Sequence, residues 1–99
     1  MESAKPARPA PSQEVGIDRP GSDLRPGFPL SKPDSYLCKS ACDADLACRA
    51  YTYVKPGVQG PQAFCWLKSA VPAAVKNDCC ISGISPQRVF SPRPSLPRK

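Results

Sequence analysis

The chain contains no histidine, a single tryptophan, a single methionine and no apolar run near the length of a membrane-spanning helix. Without histidine, a Cys-His nucleophile pair cannot form, and neither can a mixed Cys/His zinc site. The N-terminus also lacks a charged start followed by an apolar stretch, so it does not read as a secretory leader. Met1 is therefore expected to begin an excised domain rather than a natural precursor, and membrane insertion is not expected. Acidic residues are scarce at both ends, which leaves a net charge of +6.

Cysteine and proline are plentiful, with 6 and 14 copies in 99 residues. The cysteines Cys38, Cys42, Cys48, Cys65, Cys79 and Cys80 form an even set in a short chain, the pattern of a disulfide framework. A framework of that kind implies an extracytoplasmic, oxidising setting: periplasmic, secreted or at the cell surface. The prolines gather at the ends. Residues 1–13 hold Pro6, Pro9 and Pro11, and residues 86–99 hold Pro86, Pro92, Pro94 and Pro97. Proline removes a backbone donor and fixes φ, so both segments are expected to be disordered tails or linkers.

Residues 14–85 remain as one foldable domain, a size at which apolar burial needs covalent help. Most of the positive charge lies outside it, on Arg88, Arg93, Arg98 and Lys99, and the domain itself is nearly balanced. Specific nucleic-acid binding is not expected.

Val15 and Ile17 alternate with polar neighbours before Asp18-Arg19-Pro20-Gly21, which predicts a short strand running into a turn. Lys32-Pro33-Asp34-Ser35 offers a first-turn proline and capping side chains for a helix. Tyr36, Leu37, Cys38, Ala41 and Cys42 follow at helical spacing. Cys38 and Cys42 should share one helix face. Cys48 to Val54 reads as a strand, residues 55–61 as a turn-rich loop and Ala63 to Lys68 as an antiparallel return. Residues 69–78 read as a connection, and Cys79 to Ile84 as a last strand. The sum is an α+β fold, one helix on a small antiparallel sheet.

The series Cys38-x3-Cys42-x5-Cys48-Arg49-Ala50-Tyr51-Thr52-Tyr53, then Cys65-Trp66-Leu67-Lys68 and Ile81-Ser82-Gly83, resembles the PAN/apple domain family over roughly residues 14–85. It is most similar to the bacterial PAN modules of extracytoplasmic proteins, including those at the N-terminus of alpha-2-macroglobulin-like proteins. The resemblance implies a helix cradled by a curved antiparallel sheet. It also implies bridges Cys38–Cys65 and Cys42–Cys48, a choice that spacing alone does not make. In the loop-entropy picture these closures stabilise by about 3.5 and about 2 kcal/mol. Larger apple domains carry a further bridge between their termini, but here no cysteine precedes Cys38 or follows Cys80. Cys79 and Cys80 are left facing each other, and a vicinal bond is favoured over two free thiols. Adjacent Cα atoms stand about 3.8 Å apart, below the usual disulfide span, so such a bond should be strained and easily reduced. It would serve as a rigid kink at a strand end or as a thiol redox element.

A zinc cluster is a poor reading of these sulfurs, because their spacings do not form paired knuckles. Asp43 and Asp45 are expected to be a solvated turn or cap rather than an acid/base pair. Pro94-Ser95-Leu96-Pro97-Arg98 fits a polyproline ligand pattern but reads as linker. No catalytic residues, metal or cofactor are expected. Alternation within the strands places Arg49, Tyr51 and Tyr53 opposite Cys48, and Phe64, Trp66 and Lys68 opposite Cys65. If that side is open, Arg49, Tyr51, Tyr53, Trp66 and Lys68 form an aromatic and cationic ligand surface; if the sheet encloses it, the rings are core. The expectation is a non-catalytic, monomeric recognition module for a protein or carbohydrate ligand, carried in a larger protein. The alternatives are an architectural spacer without a ligand, or a redox element at Cys79-Cys80.

Overall fold

In a computed structural model describing residues 13–85, five strands and one helix follow one another along the chain. They are β1 (Glu14–Asp18), β2 (Phe28–Pro29), α1 (Ser35–Asp43), β3 (Ala50–Val54), β4 (Phe64–Lys68) and β5 (Val75–Ile84). The strands form one open sheet in the order β1-β5-β3-β4-β2, and every neighbouring pair is antiparallel. This is the disulfide-rich α+β architecture expected. The two proline-rich tails fall outside the described residues, except for Gln13.

The helix begins where a short polar side chain can satisfy its first free donors. Asp34 is the N-cap, and its carboxylate accepts from the Tyr36 N–H at 2.9 Å. Pro33 therefore stands one residue before the cap rather than in the first turn. Lys39 and Asp43 pair along the exposed side at 2.7 Å, one turn apart. Cys38 and Cys42 point into the sheet, both fully buried, with Leu37 and Ala41 packed beside them.

After the helix, a tight turn is made by Asp45 N–H to the Cys42 carbonyl (3.0 Å) and Cys48 N–H to the Asp45 carbonyl (2.9 Å). Cys48 belongs to this turn, and β3 starts two residues later than its alternation suggests. The distinction decides which face is which. Tyr51 and Tyr53 pair across the sheet with Leu67 and Cys65 on one side, and with Gly83 and Ile81 on the other. Directly opposed residues project to the same face, so these residues lie under the helix and build the core. Thr52, Val54, Trp66, Lys68, Cys80 and Ser82 take the opposite face.

Tyr51 reaches its place because Gly83 carries no side chain: a Cβ there would collide with the phenol ring. On the far face, the Thr52 hydroxyl lies 2.8 Å from the Ser82 hydroxyl, which donates to the Ile17 carbonyl at 2.8 Å. That chain of bonds ties β3, β5 and β1 together. Arg19 extends the tie, gripping both Glu14 oxygens at 3.0 and 2.9 Å and the Pro72 carbonyl at 2.6 Å. The Glu14 hydrogen bond raises the Arg19 pKa despite burial.

Two elements depart from the sequence reading. No local signal announces β2, which forms because Phe28 and Pro29 lie against Cys65 and Phe64 at the sheet edge. β5 begins at Val75, inside the predicted connection, because Lys76 and Val75 pair with Ile17 and Asp18 of the distant β1.

Candidate functional site

The three disulfides join Cys38 to Cys65, Cys42 to Cys48 and Cys79 to Cys80, and none of the six cysteines is free. Cys38–Cys65 ties the helix to β4 across a Cα separation of 5.3 Å, and Cys42–Cys48 clips the helix end at 5.2 Å. All four of these cysteines are fully buried. The Cys79–Cys80 pair sits elsewhere, on β5, with Cys80 buried and Cys79 partly exposed.

The sheet face away from the helix carries a groove of about 390 Å³. Thr52 and Val54 of β3 form its floor, and Trp66 and Lys68 of β4 form one wall with Val58 and Gln59 of the adjoining loop. Asn77, Cys79 and Cys80 of β5 form the other wall, and Asp18 and Asp23 close it. The two walls are two strand spacings apart, about 10 Å.

Trp66 is held from two directions. Its indole N–H donates to the Gln59 side-chain oxygen at 2.8 Å, and its ring lies against Gly27, where a Cβ would collide with it. Lys68 stands 5.8 Å from the ring centroid, within the range of a cation–π contact. Its ammonium is also paired with Asp23 at 2.5 Å, so this almost fully buried cation is neutralised in place. The Asp18 carboxylate meets no cation or hydrogen-bond donor among the described residues. The groove thus presents an aromatic ring, a paired lysine, the Asp18 carboxylate and side-chain amides.

The residues read as a ligand surface do not stay together. Trp66 and Lys68 line the groove, but Tyr51 and Tyr53 are core residues beneath the helix, only 1% and 4% exposed. Burial pushes the Tyr51 phenol up to about 12, partly offset by a hydrogen bond with Gln13, and it raises Tyr53 as well. Arg49 is exposed immediately before β3 and does not line the groove. Asp43 and Asp45 are engaged by Lys39 and Arg25, at 2.7 and 2.5 Å. Asp18, Asp23, Gln59 and Asn77 went unread, because nothing local in their sequence connects them to Trp66. Gly27 went unread for the same reason.

A helix on an antiparallel sheet, stapled by a helix-to-strand bridge and a helix-end clip, defines a class of small disulfide-rich modules. The PAN domain family model matches residues 17–68, more than half of the chain, and the chain belongs to that family. The matched stretch contains both buried bridges and stops before Cys79 and Cys80. No curated protein matches the chain. Among the described residues, no helix is long and apolar enough to cross a membrane.

Proposed function

We propose that the chain is a non-catalytic recognition module whose ligand surface is the groove on the open sheet face. The observation that carries this reading is the groove itself. A tryptophan, a paired lysine and a carboxylate with no partner among the described residues converge on a concavity on the sheet face away from the helix. Concave sites that pair apolar surface with a few fixed polar groups are where proteins hold ligands. Membership of the PAN domain family supports a protein or carbohydrate as that ligand. Three disulfides support an oxidising, extracytoplasmic setting. We place the module within a larger bacterial protein of the alpha-2-macroglobulin-like kind, on the strength of the sequence resemblance.

The test is a glycan array together with a pull-down from extracytoplasmic extract, repeated with two variants. Trp66→Ala should lower binding of the retained ligand at least about tenfold, the loss expected of a central aromatic contact. Leu46→Ser, at a residue 86% exposed outside the groove, should leave it unchanged. Retention undiminished by Trp66→Ala would remove the groove from the account.

A further inference from the structure

β5 carries an irregularity that ligand recognition does not explain. Val15 pairs with Ile81 and Ile17 with Lys76, so Gly16 alone in β1 faces residues 77–80 in β5. The ladder to β1 is broken there, and Gly16 takes φ +77°, a region that favours glycine. Toward β3 the register holds as far as Cys80 opposite Val54. Within the bulge, the Asn77 side-chain oxygen accepts from the Cys79 N–H at 3.0 Å, and the Cys79 carbonyl accepts from the Lys55 N–H at 2.9 Å. Asn77, Cys79 and Cys80 all line the groove.

Three properties set the Cys79–Cys80 bridge apart from the other two. It joins adjacent residues and so encloses no chain loop, which means that opening it gives little entropy to the unfolded chain. Cys79 is partly exposed, whereas Cys38, Cys42, Cys48 and Cys65 are fully buried. Finally, neighbouring side chains in a strand project to opposite faces, yet this bond holds two of them together. Opening it frees the Cys79 sulfur to leave the side that Cys80 occupies, and the groove wall changes with it.

We infer that Cys79–Cys80 is a thiol–disulfide exchange site for a dithiol reductant, and that its redox state sets the shape of the groove. The inference rests on the groove being the ligand surface. A thiolate of the reductant attacks the Cys79 sulfur, forming a mixed disulfide and releasing the Cys80 thiolate, which takes up a proton. The reductant's second thiol, once deprotonated, attacks its own sulfur in the mixed disulfide and releases Cys79, which is protonated in turn. Two electrons and two protons pass to the protein, and the dithiol leaves as a disulfide. The two buried bridges keep the domain folded throughout.

The experiment exposes the folded chain to graded dithiothreitol, alkylates the thiols formed, and then reduces and labels the remainder with a heavier reagent for peptide mass mapping. Cys79 and Cys80 should be labelled at dithiothreitol levels about tenfold or more below those needed for the buried four. Far-UV circular dichroism should stay unchanged. The amide resonances of Thr52 and Asn77 and the indole signal of Trp66, the chain's one tryptophan, should move to the positions seen in a Cys79→Ser, Cys80→Ser double variant. Labelling of all six cysteines together, unfolding as the bridge opens, or unmoved groove signals after it opens would each overturn the inference. No ligand takes part, so a groove that binds nothing would leave this result standing. Failure here would likewise leave the Trp66→Ala binding test unaffected.

Discussion

Alternation along the strands suggests that Tyr51 and Trp66 share one side of the sheet, and the pairing of Tyr51 with Leu67 and of Thr52 with Trp66 puts them on opposite sides. Period-two reading correctly grouped Tyr51 with Tyr53 and Trp66 with Lys68. It could not supply the register between strands, and a slip of one residue exchanges the faces. Cys48 misled the count, because its sulfur meets Cys42 from a turn that precedes β3. The buried phenol has a measurable consequence. Tyr51 keeps its proton to about pH 12 in the folded state, while an unfolded tyrosine loses it near pH 10. The folded state then binds more protons than the unfolded state between those values, so the contribution is intact below pH 10 and lost as pH rises through 12. Urea midpoints should fall over that window, and Tyr51→Phe should flatten the fall. Gly83→Ala should destabilise by about 1–3 kcal/mol through overpacking against Tyr51, read from the same titrations.

At the level of the element, α1 was the most legible part, because a capping aspartate and a four-residue cysteine spacing are local signals. Asp34→Ala should cost about 1 kcal/mol, measured by thermal or urea unfolding. β2 and the first half of β5 were illegible for the opposite reason. Phe28–Pro29 is a two-residue strand containing a proline, and Val75 to Asp78 is too polar to announce a strand. Both exist only through partners far along the chain, β4 and β1 respectively. The groove inherits that obscurity, since its walls come from segments joined by tertiary pairing alone. The helix-end clip can be weighed separately: replacing Cys42 and Cys48 together by alanine should cost about 2 kcal/mol, the value of a short closed loop.

Across the whole molecule, the division of labour follows the two faces of one sheet. The helix face holds the core and the two fully buried bridges, and the other face holds the groove and the partly exposed Cys79–Cys80 bridge. A domain of this size has limited apolar area to bury, so Cys38–Cys65, which closes 27 residues of sequence, contributes a large share of its stability. Replacing both cysteines by alanine should remove about 3.5 kcal/mol and bring the fold close to unfolding at physiological temperature, as circular dichroism melts would show. Peptide mass mapping of unreduced, thiol-blocked protein asks whether two bridges staple the core while the third stands apart in the groove wall. The linked peptides should be Cys38–Cys65 and Cys42–Cys48, with Cys79 and Cys80 bonded only to each other. A link from Cys79 or Cys80 to any of the other four would contradict this arrangement, because those four are fully buried and paired with one another.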